Sequence, residues 1–245
     1  MAGPTQPAVR RAAIAARLSA PRLTPYLVAS HGNLRDALRL YDWNVEISGA
    51  FYESLHQFEV VLRNALDQEL CAWNAAQVNA ATGAPHSRDW LMDPSHLLLR
   101  LTRDDISKAR QRARSAVRRA RQRGREHGHS DVLAQLSFGT WRFLLPDSDP
   151  GRQLLWQQAL AKAFPQLSCT PADLVTHVDR IHKLRNRIAH LEPLLDSAMV
   201  ADRFASMRTV AAAIDPIAEG WIVSRQRITS LLRTKPLPAP GSSTS

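Results

Sequence analysis

ISGAFYESLHQFEVVLRNALDQELCAW, Ile47 to Trp73, is the stretch whose reading decides the fold. Ile47, Phe51, Leu55, Phe58, Leu62, Ala65 and Trp73 recur in it at whole-turn helical spacing. That pattern makes one apolar stripe on a long helix, predicted from Asn33 to about Trp73. Strand-like alternation is scarce along the rest of the chain. The fold is therefore expected to be an all-α helical bundle.

Helical patterns continue outward from this stretch. NAATGAPHSRDWLMDPSH is punctuated by Gly83, Pro85 and Pro94 and reads as a loop with short helical pieces. Thr102 to about Gly124 reads as an arginine-rich helix. QLSFGTWRFLLPDSDPG is an apolar segment closed by Pro146, Pro150 and Gly151, and Leu154 to Phe164 reads as a short helix. In SCTPADL, Thr170 is the expected N-cap, with Pro171 at the first helical position and Asp173 in the first turn. A last helix is expected over roughly Asp196 to Arg233, with a break possible near DPIAEG.

The chain divides on this reading into an N-terminal helical extension (1–32), a main domain (33–235) and a Pro/Gly/Ser-rich tail (236–245) expected to be disordered.

Composition narrows the function classes. The chain has 245 residues, 44% apolar and 22% charged, with a formal net charge of +10. It is globular in composition, and its excess of positive charge makes nucleic acid the first partner to consider. Cys71 and Cys169 are the only cysteines, far apart and in no CxxC pair, which suits a reducing, cytoplasmic location. The N-terminus lacks the apolar core of a secretory signal. No apolar run approaches the ~20 residues needed to span a bilayer, so no membrane insertion is expected.

The chemistry-bearing stretch is KLRNRIAHLEP, Lys183 to Pro193. On a helical wheel Leu174, Val178, Ile181, Leu184 and Ile188 form a core face, and His177 falls near it as a satisfied core histidine. Asn186 and His190 share a face pointing away from the core. Arg185 stands at the edge of the stripe, about 140° from His190. Either this polar face is simply solvated, or a partner subunit covers it across a two-fold axis. The residue types suit phosphodiester chemistry. A histidine can take a 2′-hydroxyl proton or protonate a leaving oxygen. An arginine matches a phosphate and stabilises developing charge. An asparagine orients without titrating. No metal or other cofactor is required.

LRNRIAH resembles the R-N-x-x-x-H motif of the HEPN superfamily (higher eukaryotes and prokaryotes nucleotide-binding). Within it the chain is similar to the Abi-like, abortive-infection proteins. FEVVLRNAL, with Glu59 and Arg63, is similar to the family's early-helix glutamate and arginine. LSFGTWRFLL is similar to its mid-chain Ser-Phe-Gly segment, and LRNRIAHLEPLL to its C-terminal motif. The three keep family order between about Tyr41 and Leu195. The resemblance implies a HEPN-like bundle, here with an additional arginine-rich helix. It implies a homodimer that cleaves RNA without metal at a composite site, in phage defence or toxin–antitoxin-like growth arrest. By position, Arg185 and His190 would be catalytic and Asn186 positioning, with Glu59 and Arg63 supporting from the neighbouring helix. Arg187 and Glu192, on the motif's own segment, are further supporting candidates; Glu192 either caps or orients the helix end or is a simple surface carboxylate. Many relatives carry a second histidine where this chain has Leu191. Some HEPN-fold proteins are inactive, so the alternative is a non-catalytic RNA- or partner-binding protein.

Glu59 and Arg63 are four residues apart, the spacing of an ordinary surface pair. The other reading has Glu59 holding Arg185, whose place at the core edge demands an acceptor if it is buried.

Arg103 to Arg125 holds ten basic and two acidic residues, a net charge of +8. Arg110, Arg114, Arg118, Arg121 and Arg125 follow helical spacing as a cationic stripe. Like charges one turn apart repel, so a polyanion is the expected ligand. Aromatic residues are sparse here, which favours contact with the RNA backbone over base stacking. An antitoxin or other acidic protein is a further possible partner. His127 and His129 have no second ligand pair in sequence and read as a polar loop rather than a metal site.

Overall fold

The computed structural model describes residues 5–120 and 126–237. Among these the fold is all-α, with eleven α-helices and no strand beyond an isolated bridge between Val78 and Pro85. The helices are α1 (Gln6–Leu18), α2 (Ala20–Ala29), α3 (Leu34–Ala75), α4 (His96–Arg119), α5 (His129–Leu133) and α6 (Phe138–Leu144). They continue with α7 (Pro150–Gln158), α8 (Pro171–Ala189), α9 (Ser197–Ile214), α10 (Pro216–Arg225) and α11 (Ile228–Arg233). No helix among the described residues is long and apolar enough to cross a membrane. Of the tail, residues 238–245 lie outside the described residues.

Helix α3 starts where its cap requires. Asn33 Oδ1 accepts from the backbone N–H of Arg35 (3.0 Å) and Asp36 (3.2 Å), two donors that have no partner inside the helix. Its stripe is buried at Ile47, Phe51, Leu55, Phe58, Leu62 and Trp73. Beyond Leu62 the buried residues are Leu66 and Leu70, and Ala65 is only half-buried. Four-residue steps overrun a full turn by about 40°, and here the larger leucine side chains, rather than Ala65, carry the stripe forward.

The chain packs as two compact units. One comprises residues 1–55, 184–204 and 225–245, the other 56–183 and 205–224. In the first, Tyr26 and Tyr41 meet edge-to-face at 5.1 Å. Trp43 donates from Nε1 to the Leu231 carbonyl (2.8 Å), and the Lys235 ammonium stands 5.3 Å from its ring centroid. These contacts tie the end of the described chain to α3.

In the second unit, Phe58, Phe138 and His182 form a stack, with centroids 6.2 Å and 5.6 Å apart. Trp90 and Trp141, both fully buried, meet edge-to-face at 6.4 Å. The predicted loop 79–96 contains turns and no helical piece before α4. Its backbone is satisfied instead by buried Asn74. That side chain donates to the carbonyls of Ser87 (2.7 Å) and Asp93 (2.9 Å) and accepts from Ser95 N–H (2.9 Å).

Helix α4 begins at His96, six residues before the expected start. His96 to Arg100 adds a turn with buried Leu98. Helix α7 begins at Pro150, before the expected Leu154, because Asp149 caps it. Asp149 accepts from Gly151 and Arg152 N–H at 2.8 and 3.0 Å. Arg100 pairs with the same carboxylate and, with those backbone donors, holds it well below the usual range. A Cβ on Gly151 would lie 2.0 Å from Arg100 Nη2, so a larger residue there would displace that guanidinium from its present position. The expected last helix is three helices. One break falls at Asp215–Pro216, as the sequence suggests, and a second at 226–227.

Candidate functional site

Helix α8 carries the motif, and its start is locked by a reciprocal cap. Asp173 N–H donates to Thr170 Oγ1 (3.1 Å), and Thr170 N–H and Oγ1–H donate to Asp173 Oδ2 (3.3 and 2.7 Å). Leu174, Val178, Ile181 and Leu184 are buried, as the wheel predicts. Ile188 is only half-buried, so the core face ends one turn before the helix does. His177 is half-buried and lies 3.1 Å from Ser206 Oγ, a satisfied histidine. Asp179 is bracketed by Lys183 (2.7 Å) and Arg142 (3.1 Å), which lower its pKa.

The C-terminal end of α8 is built as a locked turn. His190 N–H donates to Asn186 O (2.9 Å), Leu191 N–H to Ile188 O (3.0 Å) and Glu192 N–H to Arg187 O (2.8 Å). The last two bonds are the Schellman pattern, which needs a left-handed residue between them. That residue is Leu191, at φ 57°. It is held there from outside: Arg22 donates to the Leu191 carbonyl, Arg187 Nη2 to the Pro193 carbonyl (2.6 Å), and Leu194 N–H to buried Asn44 Oδ1 (2.7 Å). Glu192 Oε2 lies 3.3 Å from Arg187 Nε, an ion pair without hydrogen-bond alignment.

A branched residue in this backbone region costs about 1 kcal/mol. The Leu191 side chain is 67% exposed, so little packing compensates. Leu191→Gly is expected to raise the unfolding free energy by up to ~1 kcal/mol, read as a higher denaturant midpoint. A lower midpoint would show that the leucine side chain itself is needed.

Arg185 and His190 are exposed and Asn186 is half-buried. The expectation that Glu59 holds Arg185 rests on Arg185 being buried. It is not, and a solvated guanidinium demands no acceptor. Glu59 and Arg63 are half-buried residues of the second unit, one turn apart on α3, and Arg63 Nε is buried without a hydrogen-bond partner. Arg187 and Glu192 brace the turn after His190. Arg22 and Asn44 do the same from far upstream, and no local pattern in the sequence marks them for it.

The arginine stripe divides. Arg114 and Arg118 are exposed on α4. Arg110 is half-buried, and its Nε donates to the Leu91 carbonyl at 2.6 Å, so it clamps the loop before α4. Arg121 and Arg125 lie outside the described residues. Alongside α4 run two neighbouring hollows. One of about 470 Å³ is lined by Leu99, Arg103, Ile106, Arg110 and Arg114, and one of about 400 Å³ by Arg114, Val117, Arg118 and His127. Arg114 borders both.

His129 is not a solvated loop residue. It opens α5, half-buried, with Nε2 at 3.0 Å from both oxygens of Asp67 and Nδ1 at 2.8 Å from Asp89 Oδ1. Cys71 Sγ lies 3.9 Å from Nε2. The Asp67 bond, then Cys71 and Asp89, against the cost of burial, push the imidazole pKa up to about 11. The sequence hides this cluster because His129 lies 40 residues beyond Asp89, 58 beyond Cys71 and 62 beyond Asp67.

The chain matches no protein-family model, no curated protein and no solved structure.

Proposed function

We propose that the protein is a metal-independent endoribonuclease of the Abi-like HEPN type, working as a homodimer. One observation carries the reading: Arg185 and His190 of the R-N-x-x-x-H set stand exposed at a helix end that Arg22, Asn44 and Arg187 brace. Reactive groups gain most from a rigid support. Their outward exposure suits a site completed by a second copy, related by a two-fold axis.

In this reaction His190 takes the proton of an RNA 2′-hydroxyl, and that oxygen attacks the adjacent phosphorus. The bond from phosphorus to the 5′-oxygen breaks, leaving a 2′,3′-cyclic phosphate; the leaving oxygen takes a proton from water to become a 5′-hydroxyl, and His190 gives its proton to the hydroxide so formed. Arg185 stabilises the charge building on the phosphoryl oxygens. Asn186 positions these groups, and no step needs a metal. The test is RNA cleavage in a chelator by wild type, His190→Ala and Arg185→Ala, with RNA binding measured in parallel. Binding by wild type without cleavage would favour the non-catalytic binding protein instead.

The exposed Arg114 and Arg118 and the hollows beside them support an RNA path along α4. Arg114→Ala with Arg118→Ala is expected to weaken RNA binding on all sequences alike. Every phosphate no longer neutralised should flatten the slope of log K against log salt by ~0.7. Affinities measured by fluorescence anisotropy over a salt series check this, and an unchanged slope would move the RNA path elsewhere.

A further inference from the structure

We propose that Asp67, Cys71 and His129 form a zinc site, with Asp89 as the carboxylate that orients the histidine. The inference is independent of RNA cleavage and concerns the second unit alone. Asp67 and Cys71 are four residues apart on α3 and share one face, and α5 brings His129 over them. One donor atom from each lies within 4.8 Å of the other two. Asp67 Oδ1 is 3.0 Å from His129 Nε2, and Cys71 Sγ is 3.9 Å from both. Bonds of ~2.0 Å to nitrogen and oxygen and ~2.3 Å to sulfur put tetrahedral ligand atoms roughly 3.3–3.6 Å apart. The observed separations bracket that range, so sub-ångström shifts would seat the ion.

The surroundings match what a zinc histidine needs. Nδ1 donates to Asp89 Oδ1 at 2.8 Å, which holds the ring with Nε2 towards Asp67 and Cys71; once an ion replaced the Nε2 proton, this bond would fix the tautomer that ligates. Trp90 Nε1 donates to Asp67 Oδ1 at 2.8 Å and fixes the carboxylate plane. The donor set of one thiolate, one imidazole and one carboxylate selects zinc over magnesium or calcium. Thiolate and carboxylate together neutralise the ion. The His129 side chain is 23% exposed, so solvent reaches the cluster, and a water would supply the fourth ligand. The ion would replace the proton between Nε2 and Asp67 and staple α3, the loop carrying Asp89, and α5. The competing account is a metal-free ion cluster, an imidazolium held between two carboxylates.

The test uses the full chain purified without chelator. Elemental analysis is expected to find zinc at one ion per chain. Cobalt added to the metal-free protein should give the near-ultraviolet thiolate-to-cobalt band and the visible bands of a tetrahedral site. Cys71→Ser, close to isosteric, should abolish the thiolate band, and Cys169→Ser should keep it. Asp89→Asn should keep the band but weaken metal binding about 10–100-fold. Circular dichroism confirms that each variant is folded. Metal-free protein that gives no thiolate band with cobalt overturns the proposal and leaves the ion cluster. So does Cys71→Ser that binds zinc as wild type does. No arm involves RNA, so this result and the endoribonuclease reading fail separately.

Discussion

His190→Ala is expected to lower RNA cleavage by about 10²–10⁴-fold, the usual worth of a general acid–base group. The fold should not change. His190 is exposed, and the turn around it is made by its backbone N–H and by other residues. Its imidazole is not among the groups that brace Leu191, Pro193 and Leu194. RNA affinity should also persist if the phosphate contacts lie on α4. Loss of rate with unchanged unfolding midpoint and unchanged binding is therefore the expected signature. A variant that cleaves within a few-fold of wild type removes His190 from the chemistry. Arg185→Ala should reduce the rate by a comparable route, and its exposure makes a folding defect equally unexpected.

Phe58→Ala is expected to do the opposite. Phe58 is fully buried, one ring of the stack with Phe138 and His182 in the second unit. Truncating such a ring removes its transfer energy and leaves a cavity that the close-packed surroundings only partly fill. The cost is about 3–5 kcal/mol, a large share of the stability of an ordinary domain. Denaturant unfolding by tryptophan fluorescence reports it as a lower midpoint. Trp90 and Trp141, buried in the same unit, supply the signal. A change below about 1 kcal/mol would mean that the stripe of α3 is not the core of that unit. The two substitutions separate what holds the fold from what the exposed motif contributes.

The parts legible in the sequence are those that depend on local periodicity and local chemistry. The α3 stripe apart from Ala65, the Thr170–Asp173 cap and the core face of α8 from Leu174 to Leu184 are all short-range patterns, and each is in place. Helix α7 starts before the expected edge because Asp149 caps it beside Pro150 at the first helical position, which is a local signal; only Arg100, from α4, which secures the carboxylate, is remote. Ile188 is expected in the core because the wheel carries no information on where a packing partner stops. Arg185 is placed at a buried edge for the same reason. Arg110 looks like its neighbours in the stripe, yet its Nε is used by the Leu91 carbonyl.

Contact between remote segments leaves no such trace. Arg22 and Asn44 reach the turn after His190 from 169 and 150 residues away. Asp67, Cys71 and His129 meet only because the intervening loop and α4 return α5 to α3. An Asp-x-x-x-Cys pair on one helical face is the one local sign of that cluster, and it gains meaning only with the histidine beside it.

The central claim is the chemistry at Arg185 and His190, and the ends of the RNA products test it most directly. Wild-type protein incubated with RNA in a chelator should yield fragments with 2′,3′-cyclic phosphate and 5′-hydroxyl ends, and His190→Ala should yield almost none. Intact RNA from folded wild-type protein, or fragments with 5′-phosphate ends that appear only when a metal is supplied, would contradict it.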